Sequence, residues 1–227
     1  MSIIRSSTLN LKNALLSSIL VGMTSNFTLA LASGKHVLNG DVTGQTGQLE
    51  TSAEALSAEE EADILFMREE EKLARDVYIF LYDQWANAVF DNISASEQRH
   101  MDSMAVLVNT YGLTDPVQDS RVGAFTNPDL STLFATLTVR GQVSQLEALR
   151  VGAFIEEVDM RDIQAAIDNS DHADINQTYE NLLRGSRNHL RAFVRTIENL
   201  GVVYEAQVLP QSEVDAIVDS PIERGGS

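Results

Sequence analysis

The sequence predicts an all-α protein, a four-helix bundle with a long crossover between its second and third helices. Three observations carry this. Segments with apolar residues at helical spacing dominate the chain, and strand-like alternation is scarce. With 44% hydrophobic residues and only 4 prolines in 227 residues, the chain can build one substantial core with few helix breaks. Four helical segments each carry a Glu or a His within an apolar stripe, and a long Pro- and Gly-containing stretch separates the second from the third.

Residues 1–32 read as a secretory leader. Arg5 and Lys12 precede the apolar run from Ala14 to Met23, and Ala30-Leu31-Ala32 offers a small-x-small cleavage site. The run is short for a membrane span, so no stable span is expected after cleavage. An uncleaved anchor is the competing reading. Either one places the rest of the chain outside the cytoplasm, in the periplasm or secreted. Residues 33–56 are rich in Gly, Thr and Ser, lack an apolar periodicity and read as a flexible linker in which His36 is incidental.

The bundle is expected over 57–201. Ser57-Ala58-Glu59-Glu60 is a capping box, and a helix follows to about Asn87 with Phe66, Leu73, Val77, Phe80 and Leu81 on its apolar face. Glu69-Glu70-Glu71 interrupts that face. The outer acids are expected in solvent beside Lys72 or Arg75, and at least one must point with Ala74 and Tyr78. The second helix is read from Ser94 to Gly112. Glu97 and His100 share one of its faces, and Met104 and Leu107 follow on it. Ser94-x-x-Glu97 is itself a capping box, which would explain Glu97 without a ligand role.

Residues 113–141 contain Pro116, Gly123 and Pro128, with a short helical piece near Leu130–Ala135. A link this long suits helices that run parallel. The third helix is read from Gln142 to Asn169, with Glu156 in its apolar stripe and Glu157 on the wet side. A carboxylate in an apolar stripe is costly unless paired or coordinated, which makes Glu156 the better ligand candidate. The fourth helix runs from Asp171–Ile175 to just before Gly201. Its inward stripe is Tyr179, Leu182, Ser186, His189, Phe193 and Ile197. Taken alone, a His on an apolar face is more often a hydrogen-bonded core residue. Residues 202–227 read as a tail whose segment Glu213–Val218 either docks or lies free.

Charge and composition narrow the function. Lys+Arg number 16 against 33 Asp+Glu, a formal charge of −17, which repels nucleic acid and anionic membranes and suits cations or plain solubility. Cysteine is absent, so disulfides, thiolate zinc sites and iron–sulfur clusters are excluded, and any metal must be held by oxygen and imidazole. No nucleophile elbow or phosphate-binding loop is found.

Four segments carry a resemblance: Glu71-Lys72-Leu73-Ala74-Arg75-Asp76-Val77-Tyr78, Ser96-Glu97-Gln98-Arg99-His100, Gly152-Ala153-Phe154-Ile155-Glu156-Glu157 and Ser186-Arg187-Asn188-His189. With them the chain resembles the ferritin-like superfamily, its rubrerythrin side in particular, over about 57–201. The resemblance implies metal ligands at Glu71 (with Glu70 the fallback), Glu97, His100, Glu156 and His189. It implies iron, with manganese or zinc not excluded, and metal ions as the partners; a homo-oligomer is compatible with it. The departure is Ser186, where the family carries Glu three residues before the last His. That removes one negative ligand and bears on whether one ion or two are held.

Two functions follow as expectations. One is an exported metal-binding ferritin-like protein, with an oxidoreductase acting on oxygen, peroxide or ferrous iron as its enzymatic form. The other is a non-catalytic bundle whose Glu and His residues form a structural network and whose acidic surface is an interface.

Overall fold

The fold is all-α, and a computed structural model describes residues 55–225. The leader reading of 1–32, His36 and the linker up to residue 54 lie outside the described residues. Four long helices make the bundle: α1 (Ala58–Trp85), α2 (Ala88–Thr110), α4 (Gln145–Asn169) and α5 (Ala173–Glu198). A shorter α3 (Pro128–Gly141) lies in the crossover, and α6 (Gln211–Asp219) follows the bundle. No helix among the described residues is long and apolar enough to cross a membrane.

The pairings set the topology. α1 packs on α2 and α4, and α5 packs on α4 and α2, so the four helices close a ring. Tyr78 meets Gly152 and Glu156, while Asn169 reaches Asp63, so α1 and α4 run antiparallel. The short turn at Ala86-Asn87 makes α1 and α2 antiparallel as well. α2 and α4 are therefore parallel, and the chain must travel back along the bundle between them. α2 alone has 23 residues, about 35 Å of rise. Residues 111–144 make that return, with α3 packed against α1 and α4.

Local chemistry fixes the ends. The Ser57 capping box at α1 forms as expected, with Glu60 N donating to Ser57 Oγ and Ser57 N to Glu60 Oε2. The second helix corrects the sequence reading. It begins at Ala88 under an Asn87 cap, and Ser94 lies inside it with its hydroxyl bonded back to the Asp91 carbonyl. Asn satisfies the cap as well as Ser does, and the capping explanation of Glu97 is gone. The third long helix starts at Gln145 under a Ser144 cap rather than at Gln142, because Gln142 ends α3.

The acid triplet of α1 is not solvated. Glu69, Glu70 and Glu71 are all buried, and so are Lys72, Arg75 and Asp76. The crossover covers Glu69, Lys72, Arg75 and Asp76. Thr126 N and Asn127 N donate to Glu69 at 2.6 and 3.0 Å, and Gly123 N donates to Asp76. Lys72 and Arg75 pair with Asp76, not with the outer glutamates, and reach the carbonyls of Arg121 and Ser120. One polar face of α1 thus pins residues 120–127, and buried charges made this way are each hydrogen-bonded.

Glu157 is also buried, contrary to the wet-side reading. The segment after α5 explains it. Tyr204 OH and the backbone N–H groups of Gln207, Val208 and Leu209 all donate to its carboxylate, at 2.6 to 3.0 Å. Beyond α6, Glu223 binds Arg187 and Arg191, and its backbone pairs with Asn188, so these residues are docked on α5.

The core lies in two layers. Tyr78, Phe90 and Phe193 form an aromatic cluster, with centroids 5.3 to 6.3 Å apart. Further along, Ile64, Met67, Met104, Leu107, Ile163, Ile175 and Leu182 form an aliphatic cluster. In sequence along each helix, Glu71, Glu97, Glu156 and His189 fall between the two.

Candidate metal centre

The expected inward stripe of α5, Tyr179, Leu182, Ser186, His189, Phe193 and Ile197, is buried throughout. α2 faces it with Glu97 and His100 one turn apart. Glu71 enters from α1 and Glu156 from α4. Glu97, Glu71 and Glu156 are exposed by 1%, 2% and 0%.

The carboxylate of Glu97 lies between the two imidazoles. Its Oε2 is 2.7 Å from His100 Nδ1, and its Oε1 is 2.8 Å from His189 Nδ1. Glu71 Oε2 stands 3.3 Å from His100 Nδ1, and Glu156 Oε2 stands 3.4 Å from His189 Nδ1. The rings themselves stack with centroids 5.4 Å apart. Two ligand groups result, Glu71–Glu97–His100 and Glu97–Glu156–His189, with the atoms of each within 4.8 Å of one another. The structure therefore brings all five sequence-named residues together, and Glu97 belongs to both groups. Glu70, the fallback for Glu71, is in neither.

Whether these residues fit a metal is decided by their bonding. Glu97 Oε1, Glu156 Oε2 and His189 Nδ1 are buried, converge, and make no aligned hydrogen bond. Short separations without alignment are what ligand atoms around a cation show. Metal–ligand bonds of about 2.0–2.2 Å give ligand–ligand edges of roughly 2.8–3.1 Å in octahedral and roughly 3.3–3.6 Å in tetrahedral coordination. The separations here, 2.7 to 3.4 Å, fall close to these ranges. Carboxylate and imidazole together suit iron, manganese or zinc. The residues present fit a divalent ion.

Neighbours hold these side chains in place. Tyr78 OH donates to Glu156 Oε1 at 2.6 Å and leaves Oε2 turned to the site. Gly185 lets His100 approach α5: a Cβ there would sit 2.5 Å from the ring's Cε1 and Nε2. Ser186 is buried but faces away in its bonding, since its hydroxyl donates to the Leu182 carbonyl. It adds no charge.

The electrostatics follow from burial and the shared carboxylate. Burial pushes Glu97 up, but the His189 and His100 charges outweigh it and hold Glu97 below the usual carboxylate range. Burial pulls His189 down, yet Glu97 and Glu156 raise it to about 10; His100 is raised in the same way by Glu97 and Glu71. Burial raises Glu71 to about 7 despite His100, and burial also raises Glu156. Without metal, protons on the two imidazoles offset part of the negative charge that the three glutamates bring. A cation would take their place.

Gly185 has no signal in the sequence, since it carries no periodicity and matters only through the His100 ring that faces it from α2.

Comparisons with known proteins agree on coverage of this domain. The family model described as "Uncharacterized protein domain (DUF2202)" matches residues 60–221. The chain is 45% identical over 170 residues to the uncharacterized protein MJ0754 of Methanocaldococcus jannaschii, covering 75% of this chain and 92% of that one. It is likewise similar to the crystal structure of hypothetical protein MJ0754 from Methanococcus jannaschii. There the TM-score is 0.74 at 43% identity, covering 77% of this chain and 99% of the other.

Proposed function

This chain belongs to the uncharacterized DUF2202 family, and we propose that it is an exported metalloprotein of rubrerythrin type, holding iron or a related divalent metal inside its bundle. One group would use Glu71, Glu97 and His100, the other Glu97, Glu156 and His189, with Glu97 shared. The observation that carries the reading is the Glu97 carboxylate set between two imidazoles, with converging buried atoms that lack hydrogen bonds.

Bound iron would supply redox chemistry toward oxygen or peroxide, or toward ferrous iron as substrate. The protein's own part is to hold and shield. The aromatic and aliphatic layers exclude water on either side. Tyr78 fixes Glu156 and keeps a proton on its own oxygen, since burial and the Glu156 charge raise it well above the ordinary phenol range. The imidazole side chains, 12% and 10% exposed, keep an edge toward solvent. The leader-like residues 1–32 support a place outside the cytoplasm, which N-terminal sequencing of exported protein would check.

The test is anaerobic reloading with ferrous iron followed by oxygen or hydrogen peroxide. Oxidation should appear as new near-ultraviolet absorbance in the wild type and be absent from Glu97→Ala. Equal slow oxidation in both would overturn the oxidoreductase part. A second reading has one observation in its favour. The protonated imidazoles and the Glu97 charge can satisfy one another without metal. The site would then be a structural ion network, and Glu97→Ala would destabilise the fold without any effect of metal.

A further inference from the structure

The Glu71–Glu97–His100 group is drawn from two helices, with Glu71 on α1 and the other two on α2. Glu71 Oε2 stands 3.3 Å from His100 Nδ1 only while α1 and α2 meet in one register. Apolar contact is non-directional and fixes a register less closely than hydrogen bonds do. Two buried arginines supply such bonds. Arg68 lies three residues before Glu71 and Arg75 four residues after it, about one turn to either side. Arg68 Nη1 donates at 3.0 Å to the carbonyl of Met101, next to His100. Arg75 Nη1 donates at 2.6 Å to Oε1 of Gln98, next to Glu97. Because the helices are antiparallel, the two bonds bracket the level at which Glu71 meets His100.

The same two side chains reach the crossover. Arg68 pairs with Asp115 through Nε and Nη2 at 3.1 to 3.3 Å. Arg75 Nη2 donates to the Ser120 carbonyl at 3.1 Å, and its Nε and Nη2 hold Asp76 Oδ1 at 2.9 and 2.7 Å. Each arginine therefore joins α1, α2 and the crossover at one point. Burying a guanidinium is costly, and apolar residues of similar volume often hold a fold as well or better. What these two add is direction. A guanidinium carries five donors in a fixed fork, whereas a lysine offers one compact ammonium.

We propose that Arg68 and Arg75 are positioning residues of the metal centre. They set the register of α1 on α2 that brings Glu71 to His100 and Glu97, and they make the crossover over 115–120 part of that setting. This rests on the metal-binding reading above. It makes the crossover an element through which the affinity of the centre is controlled. Loosening it loosens the α1 ligand, and by linkage an ion held at Glu71, Glu97 and His100 steadies the crossover in return.

The experiment is calorimetric titration of the metal-free full chain with Mn(II), beside urea unfolding in chelator and hydrogen exchange over the crossover with and without Mn(II). Arg68→Lys and Arg75→Lys keep the charge but cannot span all three partners. Gln98→Ala removes one acceptor at a half-buried position, where the fold tolerates it, and leaves both arginines in place. Glu157→Ala, which touches neither arginine, is the control for lost stability alone. The expected result is an Mn(II) affinity lower by about 10-fold or more in both Arg→Lys variants and in Gln98→Ala, and unchanged in the control. Mn(II) should slow exchange at the amides of 117–121 in the wild type and leave it unchanged in those three variants. Unchanged affinity in folded Gln98→Ala and Arg→Lys proteins would overturn the assignment while leaving the metal-binding reading intact. A fall that Glu157→Ala matches would do the same, since it would reflect stability alone. Exchange at 117–121 that does not respond to Mn(II) in the wild type would overturn the part given to the crossover. A folded wild type that takes up no Mn(II) would overturn both the assignment and the metal-binding reading.

Discussion

Gly185→Ala puts a single methyl group against the centre. The new Cβ would lie 2.5 Å from both Cε1 and Nε2 of His100. Ordinary carbon contacts begin near 3.5 Å, so the ring must retreat by about 1 Å. Functional geometries tolerate about 0.5 Å. The ring cannot move freely, because its Nδ1 faces Glu97 and Glu71 and its face stacks on His189. Two effects oppose each other in the metal-free fold. Overpacking costs about 1–3 kcal/mol, and replacing Gly by Ala inside a helix returns about 1 kcal/mol. The net loss of stability is therefore small, about 0–2 kcal/mol. Nothing offsets the displaced imidazole, so metal affinity should fall about 10- to 100-fold. Urea unfolding in chelator gives the first quantity, and calorimetric titration with Mn(II) gives the second. Unchanged affinity in a folded Gly185→Ala protein would refute the placement of His100 as a ligand. A loss of stability above about 3 kcal/mol with unchanged affinity would show a packing role instead.

Further outcomes follow from the same geometry. Metal uptake should release protons and tighten as pH rises. His189 is raised to about 10 in the metal-free site, so at neutral pH a cation must displace its proton, and this competition fades only as pH rises toward 10; calorimetry in buffers of different ionisation enthalpy counts the protons, and no release would contradict the coordination of Nδ1. Tyr78→Phe frees Glu156 Oε1 and should weaken metal binding about tenfold or more at a stability cost near 1 kcal/mol, by the same titration and unfolding assays. Glu157→Ala leaves Tyr204 OH and three backbone N–H groups without their acceptor and should cost about 3 kcal/mol or more in urea unfolding, with metal binding retained if the fold survives. Glu60 is lowered to about 2: burial opposes this, but hydrogen bonds from Ser57, His172 and Ser170 prevail. Its stabilisation is complete above about 4.5 and is lost as pH falls toward 2, so Glu60→Gln should flatten the acid limb of the stability curve.

Much of the architecture was legible because it is periodic. The stripe from Tyr179 to Ile197 names the inward face of α5 residue by residue, His189 included, and the length of residues 113–141 already suited parallel second and third long helices, as α2 and α4 are. Glu97 and His100 were legible from their three-residue spacing. What periodicity could not show was cover supplied from far along the chain. Glu69 and Asp76 look like surface acids until residues 123–127 arrive to donate N–H groups, and Glu157 looks wet until residues 204–209 wrap it. The Ser94 cap failed for a simpler reason. Asn87, seven residues earlier, caps equally well, and the segment between them is helical enough to be absorbed. Gly185 matters only through the His100 ring that faces it from another helix, which local spacing does not encode.

The claim at the centre of this account is that the Glu97–His100–His189 cluster exists to hold metal. Metal content by mass spectrometry answers it most directly, on the purified protein and on a Glu97→Ala, His100→Ala double variant, each reloaded with ferrous iron under identical conditions. The account predicts near-stoichiometric iron or more in the wild type and its loss in a folded variant. A folded wild type that retains no metal after reloading would contradict it and leave the buried Glu and His residues as a structural ion network.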